Sequence, residues 1–308
     1  MEIFINQQTL DVTLDGQETI GGIIQQLASW VESSGEYIIE TLIDDMDVSS
    51  GLPADIAKRP GSSATKICLT TCPALEFRVR RLTIMDNYLS LLEEAILKSD
   101  LQGIKAITEE YPYLQNQLNE EITGVASDSP ENELHTIIEA LGQETQELTN
   151  DQRRSIGVII QMTRAILDDR RKEIIHPLQS ANQAAQHILK LIPDIMEVSV
   201  QLQSNEEKNA MQTVFSLTEL LGKLLRTISI AAEDPKMQKV IPFTELQQAQ
   251  QNIHQLLRDF EDAFAANDTV TVGDILEYEL APVLEQFCHT VIEYTPAADS
   301  GSAKDGTQ

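Results

Sequence analysis

Apolar and polar positions alternate along the first seventy residues and then change period. Ile3 and Ile5 alternate with polar neighbours, as do Leu10, Val12 and Leu14, so residues 2–14 read as a hairpin turning at Asn6-Gln7-Gln8. From Thr19 the spacing becomes helical, with Ile20, Ile23, Ile24, Leu27 and Val31 on one face and Trp30 expected to plug it. Gly35 stands where a left-handed cap ends a helix. Residues 37–43 predict a third strand, with Asp44-Asp45-Met46-Asp47 as its turn. Residues 51–64, carrying Gly51, Pro53, Pro60 and Gly61, read as a loop, and Lys66 to Thr70 as a last short strand.

Beyond about residue 75 the period is helical throughout. Three helix-turn-helix units recur, around Ser99-Asp100, Ser204-Asn205-Glu206 and Asn267-Asp268. The first two turns spell capping boxes, Ser99 with Gln102 and Ser204 with Glu207, and Thr244 with Gln247 spells a third helix start. A helix is expected over 131–148, with Ser129 as cap and Pro130 at its first position. A long helical stretch over 151–192 must break at Pro177, and a new unit begins at Asp194. Broad stripes such as Leu217, Leu220, Leu221, Leu224, Leu225 and Ile228 call for burial against neighbouring helices. The fold class is therefore α+β, predominantly α. The expected organisation is a strand-rich head over 1–74, an acidic helical bundle or hairpin array over 75–295, and a disordered tail over 296–308.

Two strands, a helix and two strands is the order of the β-grasp fold, and the head resembles ubiquitin-like modules. The diglycine end of conjugating members is absent, because the chain runs on into helices. Conjugation is therefore excluded, and a docking role is left open.

Charge narrows the function classes. Asp and Glu number 49 against 22 Lys and Arg, a formal charge of −27. Such a field repels nucleic-acid phosphates and anionic lipid. Residues 101–150 and 244–295 each hold ten acids and a single base. Arg153, Arg154, Arg164, Arg170, Arg171 and Lys172 crowd one stretch between them, either paired with acids across a helix seam or forming a patch for an acidic partner. Three cysteines are too few for a disulfide framework and suit a reducing compartment. With no signal-like leader and no long apolar run, a cytoplasmic setting is expected.

Chemistry-bearing motifs are sparse. Glu173-Ile174-Ile175-His176 is one half of a di-iron pattern whose second half is missing, and His176 fits no phosphotransfer signature. Cys68 and Cys72 lack the spacing of a zinc or redox pair, and read as a core and a turn residue. Gly21-Gly22 opens a helix, where close packing explains it better than anion binding. No catalytic, cofactor or metal residue is assigned. The stretch from Asp274 to Pro282 is instead a candidate docking edge, with Phe260, Phe264, Asp274, Ile275, Glu277, Tyr278, Glu279 and Leu280 as partner-binding residues. The occupant would be an amphipathic or basic helix.

Two resemblances add a setting. Residues 2–35 together with Phe264-AANDTVTVGDILEYELAPVLEQF resemble an uncharacterised family of some flagellated Gram-positive bacteria and spirochaetes, which implies a motility context. The unit around LKSDLQGI is similar to the helical hairpins of flagellar export chaperones, which hold export substrates against an apolar helix face. The expected function is that of a non-enzymatic, adaptor- or chaperone-like interaction protein. The alternatives are a self-associating scaffold and a metal-binding helical bundle.

Overall fold

A computed structural model describes residues 1–10, 19–49, 51–122, 130–143, 148–204, 206–234, 236–239, 241–266 and 268–295. Val12, Leu14, Ser129, Asn205, Asn267 and the tail from 296 lie outside the described residues. The chain divides into two compact units, Met1–Ile84 and Met85–Gln308.

The first unit is built on a five-stranded sheet of β1 (Glu2–Ile5), β2 (Gln8–Leu10), β3 (Glu36–Ile43), β4 (Met46–Asp47) and β5 (Lys66–Pro73), in the order β2-β1-β5-β3-β4. β1 and β5 run parallel, and the other pairs are antiparallel. This is the β-grasp arrangement. Asn6 and Gln7 both take positive φ, as do Asp44 and Asp45, which marks two-residue hairpin turns whose twist matches the strands. The second turn is thus shorter than expected, because Met46 and Asp47 already pair with β3. Asp44 is locked there, accepting from the amides of Thr65 and Lys66 at 2.9 Å, and the Thr65 hydroxyl holds its carboxyl below the usual value.

α1 (Ile20–Ser33) starts at Thr19, whose hydroxyl accepts from the Gly22 amide at 3.2 Å, and ends at Gly35 with φ +78°. Its Ile20, Ile23 and Leu27 share one core with Ile3, Ile43, Ile67 and Leu69 of the sheet. Trp30 does not plug that face. It is 54% exposed, because its position falls about 80° from the centre of the stripe, beyond Ile23. Two further corrections concern the predicted loop and strand. Residues 51–64 contain α2 (Ala54–Ala57) and a 3₁₀ turn at Gly61–Ser63. β5 reaches Pro73, so Cys72 is a buried strand residue and no turn residue, whereas Cys68 is half-buried.

α3 (Ala74–Lys98) runs across the unit boundary. In the second unit follow α4 (Leu101–Ile122), α5 (Pro130–Gln143), α6 (Asn150–Ile175), α7 (Pro177–Gln203), α8 (Glu207–Ala232) and α9 (Phe243–Ala265). α10 (Thr269–Asp274), a π-helix over Ile275–Leu280 and α11 (Ala281–Tyr294) complete it. Pro177 breaks the long stretch as expected, with His176 between the helices. Pro193 starts nothing: α7 passes through it to Gln203, so no unit begins at Asp194.

The predicted capping boxes do not form. Ser99 has φ +57° and ends α3 in the left-handed region, leaving Asp100 to accept from the Gly103 amide at 3.0 Å. The Ser204 hydroxyl turns back to the Val200 carbonyl at 2.7 Å. Thr244 lies inside α9, which starts after Pro242. The box that forms is Thr149 with Gln152, at the head of α6. α5 is described as far as Gln143, residues 144–147 lie outside the described residues, and Leu148 is not helical.

One core joins α7 to α11. Ala181, Ala184, Ala185 and Ile188 of α7 meet Leu217, Leu221 and Leu224 of α8, Ile253 and Leu256 of α9, and Leu284 and Phe287 of α11. Small residues on α7 let α8 approach closely. Each buried Leu or Ile contributes about 1.5–3 kcal/mol.

Candidate functional site

The predicted docking edge maps onto α9, α10 and the π-helix. Asp268 caps α10, its Oδ1 accepting from the Thr271 amide at 3.1 Å. One turn on, Gly273 passes against Ser199 of α7, where a Cβ would come within 2.8 Å of that serine's Cβ. The helix then widens into the π segment. Such segments are rare and recur at functional sites.

The π segment divides the predicted residues. Ile275 and Leu280 are buried in the α7–α11 core, so these two do not line a surface. Tyr278 is 67% exposed, with Asp274 and Glu279 also exposed and Glu277 half-buried. The hydrogen bond to the Glu277 carboxylate holds the Tyr278 phenol above its ordinary value. On α9, which packs against the π segment, Phe260 stacks on Phe264 with ring centres 5.8 Å apart. Phe260 is half-buried and Phe264 exposed. What remains open to a partner is Phe264, Tyr278 and a set of carboxylates.

The basic stretch resolves mostly into paired charges. Arg164 donates to Asp86 at 2.7 Å and Glu93 at 2.9 Å on α3, and Arg171 and Lys172 both pair with Asp168. Lys223 of α8 pairs with Asp169, and buried Glu173 is held by Arg170 and by Arg226 of α8. Glu173 is thereby committed to guanidinium partners, while His176 is an exposed cap residue, so the two do not form a metal-binding pair. Burial pushes the Cys288 thiol up to about 12 and the Cys72 thiol up as well. Among the described residues no group of three or more His, Cys, Asp or Glu is placed to hold a metal. No described helix is long and apolar enough to cross a membrane.

Sequence reasoning missed an open cleft of about 620 Å³ between α4 and α5. There Gln115 reaches the His135 ring at 3.0 Å and His135 Nε2 lies 3.2 Å from Glu139. The Tyr111 ring stacks on His135, and its buried hydroxyl has no hydrogen-bond partner. The i,i+4 spacing of His135 and Glu139 was the available signal.

Two family models match the chain. Residues 1–73 match the TP0873 N-terminal domain, ending on the last residue of β5, and residues 179–290 match a domain of unknown function, DUF8042. The second match covers α7 into α11 and so contains most of the large core and the residues of the predicted docking edge. No curated protein and no solved structure matches.

Proposed function

We propose that this chain is a non-enzymatic adaptor that binds a partner helix along the edge formed by α9 and the π segment. The observation carrying this reading is the exposed Tyr278, flanked by exposed Asp274 and Glu279, on a π-helix that packs against α9, the helix bearing the Phe260–Phe264 stack. Exposed aromatics supply contact area at low conformational-entropy cost, and tyrosine is enriched among interface hot spots. Residues 244–295 hold ten acids and one base, so the partner's complementary feature is a basic rim around an apolar stripe. The family resemblance of the sequence supplies the setting, flagellar assembly or motility in the cytoplasm.

The test is capture by tagged protein from native cytoplasm, with Phe264→Asp and Tyr278→Ala variants alongside. Recovery of flagellar structural or export proteins, reduced about tenfold or more by either variant, supports the adaptor reading. Equal recovery by the variants discards this edge. Recovery of the chain alone favours the self-associating scaffold.

A further inference from the structure

A second surface has the opposite charge. Within the second unit α3 and α6 pack side by side, tied by Arg164 to Asp86 and Glu93 and by Gln161 to Glu93. Toward the start of α6 they part into an open groove of about 480 Å³. Ile96 and buried Ile160 are among its lining residues, with Leu97 67% exposed and Val158 51% exposed in the same groove. Met162, one turn beyond Val158, is exposed as well. Large apolar side chains held in water on facing helices are the usual mark of a docking face.

Two more observations say what would cover it. First, the groove carries Arg153 and Arg154. Arg153 is fixed by two bonds to the Leu148 carbonyl, at 3.0 and 2.9 Å, and Arg154 is exposed. Among the described residues no carboxylate pairs with either, although the other arginines of α6 are all in ion pairs. Glu93 lines the same groove, but its oxygens accept from Gln161 and Arg164 and neither meets Arg153 or Arg154. In a chain of charge −27, two guanidinium groups without a carboxylate partner among the described residues, beside an apolar groove, are a local exception that favours an acidic occupant.

Second, Gly157 lines the groove in the middle of α6. Glycine there destabilises a helix by roughly 0.5–1 kcal/mol relative to alanine. The chain's own packing does not require it, since a Cβ at Gly157 would meet no atom within 4 Å. A missing side chain over open space is what the close approach of another backbone needs.

We propose that the α3–α6 groove docks an acidic amphipathic helix from a partner protein. Its apolar face lies between Leu97 and Val158, its backbone crosses Gly157, and its carboxylates meet Arg153 and Arg154. This site is independent of the α9 edge and takes a partner of the opposite charge.

The test uses a labelled synthetic helix of about 18 residues, with leucines on one face and glutamates flanking them, and a twin with lysines for glutamates. Binding to the full chain is read by fluorescence anisotropy. The glutamate peptide is expected to bind in a salt-sensitive manner, and Gly157→Leu and Arg154→Glu each weaken it about tenfold or more. Gly157→Leu fills open space in a helix, so it should melt no lower than the natural chain, which separates a blocked groove from a failed fold. Absence of binding, changes under about twofold, or equal sensitivity of the lysine peptide to the two variants would overturn the proposal. So would a dimer in sedimentation that either variant dissociates, since the occupant would then be a second copy.

Discussion

Glu173 of α6 and Arg226 of α8 form a two-point pair, Nε donating to Oε2 and Nη2 to Oε1, each at 3.0 Å. Glu173 is 2% exposed and also accepts from Arg170 at 3.0 Å. Removing one partner of a buried pair leaves the other desolvated and unmatched. Arg226→Met should therefore destabilise the fold by about 3 kcal/mol, and Glu173→Met with Arg226→Met should recover a large part of that loss. Denaturant melts of the two singles and the double measure the coupling directly. Additive effects would mean that the pair contributes no coupling.

The same carboxyl gives the fold a pH dependence. Burial pushes it from an ordinary 4.5 to about 7, against the pull of Arg170. The folded state thus favours the protonated form. The stabilisation is complete below about pH 4.5 and is lost as pH rises through about 7. The stability of the natural chain relative to Glu173→Gln should fall over that window, by no more than about 3 kcal/mol. A difference that stays flat between about pH 5 and pH 8, or rises, would show the carboxyl to be ionised throughout.

Trp30 is the single tryptophan of the chain and stands 54% exposed at the edge of α1. The native protein should emit at long wavelength and be quenched readily by acrylamide. Unfolding in guanidinium should shift the emission only slightly. A blue-shifted, acrylamide-protected native signal would place the indole in the core after all.

How far the sequence could be read depended on how local each determinant is. The core strands and helix of the head were legible, since Ile3, Ile20, Ile23 and Ile67 each sit on an alternating or helical pattern that names its buried face, whereas the two-residue β4 was too short to show a pattern and read as turn. Trp30 was not, because a position on the margin of a stripe is decided by what the opposite layer offers. Helix ends failed for a related reason. Ser99 and Ser204 are good caps for the following helix, yet each is used by the end of the preceding one. In the proposed docking edge, period 3.6 could not foresee the π segment, which turns Ile275 and Leu280 inward and Tyr278 outward. Nor could charge counting separate Arg154 from Arg164, since that distinction lies in which acids of α3 come within reach.

Gly273 and Ser199 set how closely α10 lies on α7. A methyl group on Gly273 would fall 2.8 Å from the Ser199 Cβ and 2.9 Å from its Oγ. Alanine for glycine inside a helix ordinarily stabilises by up to about 1 kcal/mol. Here the contact is too short for any Cβ, so Gly273→Ala must push the two helices apart and should destabilise by roughly 1–3 kcal/mol. Ser199→Gly removes the obstructing atoms, so the double substitution should regain most of the Gly273→Ala loss relative to Ser199→Gly alone. α10 leads directly into the π segment, so the single variant should also alter amide exchange over Ile275–Leu280, and the double should restore it. A Gly273→Ala chain that melts at or above the natural one would refute the close packing of α10 on α7. Lost stability without rescue would place the obstruction elsewhere than at Ser199.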